Sequence, residues 1–220
     1  MSSMGAMVLT LAMVGSSSGS VDFEENKTIT VNQGEVFIDA EQGSMCTIGY
    51  GNQDYIFSSA HCVTMGQDIL NYQGKKIGKV VHKQHDHPNP TKTNAAEDWA
   101  VIELQDNVNY GGNGYSGDNV IHISDVNIGD PICRYGSTTR EVFCTEVVED
   151  ERNYYGGGVL LSDKHTSISG DSGGPLWIPN KGLVSLHRGM GVNGTSVSVP
   201  LLNKDSEKYI YQTAKNNVLA

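Results

Sequence analysis

From Glu35 onward this chain is a succession of short β-type runs, each cut off after a few positions by Gly, Asn or Asp. The runs fall at 36–38, 46–50, 55–59, 77–81, 99–104, 120–123, 131–135, 142–148, 158–161, 175–178, 183–186 and 195–200. Each is long enough for a strand and too short to show several turns of one apolar helix face. So many at such close spacing predict an all-β body built as barrels or a sandwich. The 26 glycines agree with that expectation. The Gly- and Tyr-rich stretch 109–119 reads as a connector between two halves of the body, and 202–217 offers a plausible C-terminal helix. No internal repeat or heptad pattern is visible.

Composition narrows the function classes. A formal charge of −10 over 220 residues argues against a protein that grips phosphate backbones, so nucleic acid is not an expected partner. Apolar residues at 38% and charged ones at 18% supply a core without the charge density of a disordered acidic chain. Residues 5–14 are nearly all apolar or small and 15–20 are small, which suits a signal peptide over 1–20 rather than a membrane span. No Lys or Arg precedes Lys27, so the usual positive leader end is absent or the true start lies upstream. Residues 21–33 read as a short pro-segment or arm, leaving 34–220 as the folded domain. The four cysteines form no close Cys-x-x-Cys pair. An oxidising compartment and four reduced buried thiols are the two readings, and the leader favours export.

The densest chemical signal is Gly170-Asp171-Ser172-Gly173-Gly174-Pro175. Glycines around a serine let the backbone turn tightly and approach a substrate, and such a turn can aim the Gly170 and Ser172 amides at one developing oxyanion. A serine hydroxyl needs a base, and the base needs a carboxylate to fix its tautomer. Among seven histidines, His61 lies in Ser58-Ser59-Ala60-His61-Cys62 beside a cysteine that could anchor it. Asp98 precedes the apolar run Trp99-Ala100-Val101-Ile102, where a strand entrance would bury it; Glu97 is its local competitor. The run His82-Lys83-Gln84-His85-Asp86-His87 admits a metal reading beside that of a solvated loop, and no metal or other cofactor is expected.

Ser59-Ala60-His61-Cys62, Asp98-Trp99-Ala100-Val101-Ile102 and the Ser172 hexapeptide, in that order, resemble the motifs of the chymotrypsin-like serine peptidases, over about 34–217. The resemblance implies two six-stranded antiparallel β-barrels with the active site between them and a C-terminal helix. It implies His61 as general base, Asp98 as its orienting carboxylate, Ser172 as nucleophile, and the Gly170 and Ser172 amides as oxyanion hole. Bacterial secreted members such as α-lytic protease are the most similar in motif. By that likeness Arg134 pairs with Asp171, Cys46 bonds Cys62, and Cys133 bonds Cys144. Two features of that subfamily are missing: the large folding pro-domain, and a third disulfide near the specificity pocket. Where that disulfide would have its cysteine, and trypsin an aspartate, this chain has Thr166. A preference for Lys or Arg thus lacks its counter-charge.

Thr166, Ser167 and His187 are the expected pocket residues. From Ser172 to His187 the chain is similar to the glutamyl endopeptidases, in which a histidine at this place faces a substrate carboxylate. Ser167 would add a hydroxyl donor, since a carboxylate leaving water needs donors. Cleavage after Glu or Asp is one expectation; the other is that His187 packs on the barrel and leaves a pocket for small or apolar side chains. The expected partner is a protein or peptide substrate, and a secreted monomer without a membrane span is the expected form. A catalytically silent binding module on the same scaffold is the alternative, against which the retained His61, Asp98 and Ser172 speak.

Overall fold

The structure, a computed structural model, describes residues 28–84, 97–150, 160–162, 167–190, 196–202 and 206–210. Two curled sheets carry an all-β fold. The first contains β2 (Val36–Asp39), β3 (Met45–Thr47), β4 (Tyr50–Gly51), β5 (Tyr55–Ser58), β6 (Asp68–Asn71), β7 (Lys76–Lys83) and β8 (Ala100–Leu104). Its strand order is β3-β2-β6-β7-β8-β5-β4, so it is a seven-stranded sheet in place of the expected six. The extra strand is a division within one segment. Between β3 and β4 the Ile48 amide bonds the Glu35 carbonyl at 2.8 Å, while the next amide, Gly49, bonds Phe57 O at 2.9 Å on the opposite edge. One kinked run therefore closes the curl, pairing with β2 by its first half and β5 by its second.

The second sheet is a closed six-stranded barrel. It comprises β10 (Pro131–Tyr135), β11 (Val142–Asp150), β12 (Leu160–Ser162), β13 (Pro175–Ile178), β14 (Gly182–Met190) and β15 (Ser196–Pro200), in the order β10-β11-β12-β15-β14-β13. All of its pairings are antiparallel, and Cys133 stands opposite Cys144 in the β10–β11 register. Closing each sheet removes the exposed edges that would otherwise invite strand addition.

Each barrel has its own apolar filling, Phe37, Ile56, Ile69, Ile77 and Ile102 in the first and Ile132, Leu176, Ile178 and Val184 in the second. A third cluster joins them: Tyr50, Phe57, Trp99 and Val101 pack against Leu183, Leu186, Val199 and Leu201. That seam fixes the two barrels against each other, and the site lies on it.

Several elements depart from the sequence expectation. Residues 120–123 form no strand: Val120 makes a single bridge to Leu183, and a 3₁₀ turn follows at Ile123–Asp125. The expected arm 21–33 is part of the fold in its second half. There β1 (Ile29–Val31) pairs in parallel with β9 (Val108–Tyr110), and Gln33 is buried, its amide held by Gly49 O and Ser116. The Ile29/Val31 alternation is a period-2 signal that the polar surroundings mask. Of the C-terminal helix, a short turn at 206–210 is described.

Candidate active site

The first barrel contributes His61 and Asp98, the expected base and its expected carboxylate. β5 runs into one 3₁₀ turn, Ala60–Cys62, in which Ala60 and Cys62 are buried while the His61 side chain stays 39% exposed. A disulfide from Cys62 to Cys46 ties this turn to β3. Asp98, just ahead of β8 and 1% exposed, holds the turn from the other side. Its Oδ1 accepts the His61 main-chain N–H at 2.9 Å and its Oδ2 the ring Nδ1–H at 2.8 Å. Asp98, and not its neighbour Glu97, is therefore the carboxylate bonded to the ring, an arrangement that in the neutral imidazole would present Nε2 as the acceptor. Burial pushes the Asp98 carboxyl up, but the hydrogen bonds and charge of His61 and the charge of Arg188 outweigh it and hold the group below the ordinary carboxylate range.

The second barrel contributes the turn that carries Ser172, the expected nucleophile. Gly170 and Gly173 have φ of +99° and +83°, a region in which a side chain would be strained, and a Cβ on Gly173 would also meet Ser58 Oγ and Thr47 O. Asp171 braces the turn from within, fully buried. Its Oδ1 accepts the Thr138 and Thr139 amides at 3.2 and 2.9 Å, and its Oδ2 accepts the Ile168 amide at 3.1 Å. Arg134 Nη1 stands 3.5 Å from the same Oδ2, so the expected pair is brought together, with more amides than sequence reasoning foresaw. Among the described residues, neither the Gly170 nor the Ser172 amide donates to another protein group. Two such donors on one tight turn can receive an oxyanion without reorganisation.

Contacts across the seam set the two halves in register. The Thr47 amide donates to Ser172 O at 2.9 Å, and Ser59 Oγ donates to His187 O at 3.1 Å. The Ser172 hydroxyl donates to the Arg188 carbonyl oxygen at 3.3 Å. No hydrogen bond joins it to His61 among the described residues, a looseness common before substrate binds. Cys62, next to His61, is bonded to Cys46, and Cys46 is next to Thr47, so the turns bearing His61 and Ser172 are both tied to one short stretch of β3.

His187, on β14, is fully buried with both ring nitrogens partnered, Nε2 to Ser167 Oγ at 2.6 Å and Nδ1 to Ser196 Oγ at 3.1 Å. Ser167 and His187 are thus brought together as expected; Thr166 lies outside the described residues. Sequence reasoning missed Ser196, which sits on the neighbouring strand, and Arg188, whose guanidinium Nε lies 3.3 Å from Asp98 Oδ2. The charge next to His187 was the only signal for Arg188. Of the histidine run, His82 stacks on Trp99 and Tyr209 at centroid distances of 4.9 and 5.8 Å, and His85 and His87 lie outside the described residues. The cysteine sulfurs near His61 are joined in the Cys46–Cys62 disulfide, which leaves no thiolate there to bind a metal. The second expected disulfide, Cys133–Cys144, is present as well.

The sequence profile of the trypsin family matches residues 24–203. Among solved structures the fold resembles Cellulomonas bogoriensis chymotrypsin, with a TM-score of 0.57 and 20% identity over 82% of this chain and 96% of that one. It also resembles Thermobifida fusca protease A, with a TM-score of 0.57 and 16% identity over 82% and 95% of the two chains. No curated protein sequence matches the chain.

Proposed function

The chain belongs to the trypsin family and has a chymotrypsin-like serine peptidase fold; from that premise we propose that it is an endopeptidase acylated at Ser172. His61 Nε2 takes the Ser172 proton as Oγ attacks the scissile carbonyl carbon, and the resulting oxyanion is received by the Gly170 and Ser172 amides. His61 then hands the proton to the leaving amine. Water deprotonated by the same ring hydrolyses the acyl ester and restores the hydroxyl. Asp98 keeps Nδ1 protonated throughout, so that Nε2 is the nitrogen offered to the serine. The pairing of Asp98 with both the main chain and the ring of His61 carries this assignment.

Two disulfides support a site of action outside the reducing cytosol. A protein or peptide is the substrate, and the enzyme works as a monomer. Arg134 and Asp171 hold the oxyanion turn in shape through their buried ion pair.

At the cleavage position we favour Glu, with Asp second. The support is the Ser167–His187–Ser196 chain of hydrogen bonds, which lets the imidazole and the Ser167 hydroxyl act together as donors to an entering carboxylate. One observation favours a second reading: with the ring fully buried and satisfied, it can equally be pocket floor under small apolar side chains. Peptides carrying Glu, Asp, Leu, Phe, Ala or Lys at the cleavage position separate the two. Mass spectrometry of the products should find cuts after Glu and Asp. Cuts spread over Ala and Leu, with acids untouched, would end the acidic preference; intact peptides after exposure to folded enzyme would end the peptidase assignment itself.

A further inference from the structure

Arg188 touches both halves of the site. Its guanidinium Nε lies 3.3 Å from Asp98 Oδ2, the oxygen that also accepts the His61 ring, and its own carbonyl accepts the Ser172 hydroxyl at 3.3 Å. Asp98 belongs to the first barrel, at the entrance to β8, and Arg188 to β14 of the second. The ion pair therefore spans the seam at the level of the reacting groups. Its side chain is only 16% exposed and that of Asp98 1%, so the attraction is little screened by solvent. The Asp98 carboxylate has lone pairs beyond the two that His61 uses, and in a buried place an unused acceptor and an uncompensated charge are both costly.

We propose that Arg188 is a positioning residue for the catalytic base, fixing the Asp98 carboxylate, and through it the His61 ring, relative to Ser172 across the two barrels. The proposal rests on the acylation of Ser172 and adds a device that the motifs of the chain do not contain. A guanidinium has a rigid donor geometry, so it restrains rotation of the carboxylate as well as keeping it ionised. The charged and titratable groups around Asp98 are His61 from the 3₁₀ turn, Arg188 from β14, and Glu97 preceding it in the chain. On β7, Lys83 bonds Val63 O beside the turn, and His82 stacks on Trp99. Of these, Arg188 is the cation in contact with the carboxylate.

The test is the rate at which Ser172 reacts with diisopropyl fluorophosphate, in which the Oγ–P bond forms, fluoride leaves and His61 takes the hydroxyl proton. Arg188→Gln should lower the rate about tenfold, the scale of one buried hydrogen bond to a charged group. Arg188→Lys, which keeps a charge without the fork, should recover part of the loss. The acid limb of the rate, along which the His61–Asp98 pair takes up a proton, should move to higher pH in Arg188→Gln, because losing the cation 3.3 Å from Asp98 favours the protonated pair. In an Asp98→Asn background the same Arg188→Gln change should have little further effect, since the carboxylate it acts through is gone. Equal fold losses in both backgrounds, or an unmoved acid limb, would overturn the positioning role. If Arg188→Gln does not fold, Arg188→Lys carries the test, and equal fold losses from it in the wild-type and Asp98→Asn backgrounds would overturn the role too. Wild-type protein that takes up no label would instead refute the Ser172 assignment, so the two failures are distinguishable.

Discussion

Asp98 and Asp171 show what burial does to a carboxylate in this molecule: each is withdrawn from water and each is surrounded by donors, His61 and Arg188 for one, three backbone amides and Arg134 for the other. The Asp98 carboxyl sits below its ordinary value of 3.8 despite burial. Folding therefore gains from its ionised form at any pH above the unfolded value, and that gain is lost as pH falls through the lower folded value. Melting temperature should accordingly drop more steeply below about pH 4 in wild-type protein than in Asp98→Asn, measured by calorimetry across pH 2–6. Parallel curves would mean the carboxylate is not held in this way. The contact of His61 with Asp98 and the tight glycine turn at Ser172 were legible in the sequence because short motifs with unusual neighbours mark them. Arg188 was not legible, because its role depends on a strand of the second barrel meeting a loop of the first, and no local pattern encodes that meeting.

At the scale of elements, the strands read most easily where apolar residues are dense, as in β8 and β14, which supply the seam. β6, Asp68–Asn71, was missed because polar residues bracket Ile69 and Leu70. The single run 46–50 became two short strands because its two halves bond different neighbours, a fact of closure that periodicity does not carry. The two disulfides lie in elements with different duties. Cys46–Cys62 closes a separation of 16 residues and anchors the turn bearing His61; Cys133–Cys144 closes 11 residues within the β10–β11 pair. Replacing either pair by alanines should cost about 3 kcal/mol by the loop-entropy scale. Only the first replacement should depress the reaction of Ser172 beyond what lost stability accounts for, in labelling rates taken well below each melting temperature. An equal depression from both would show that the anchor does not act on the base.

On the scale of the whole molecule, function depends on two separately filled barrels meeting at one apolar seam. Phe57, Trp99 and Val101 from one side and Leu183, Leu186 and Val199 from the other set the distance between the His61 turn of the first barrel and the Ser172 turn of the second. The all-β class followed from the spacing of short runs, and the doubled barrel from resemblance of the motifs. The seam itself was hidden, since each of its residues reads as ordinary core in its own strand. What the seam achieves chemically is measured most directly by intact and peptide-level mass spectrometry after exposure to a fluorophosphonate. Wild-type protein should gain one adduct, located on Ser172, while His61→Ala reacts at least about a thousandfold more slowly and Ser172→Ala not at all. An adduct of equal yield in Ser172→Ala, or none in folded wild-type protein, would contradict the convergence of base and nucleophile at this seam.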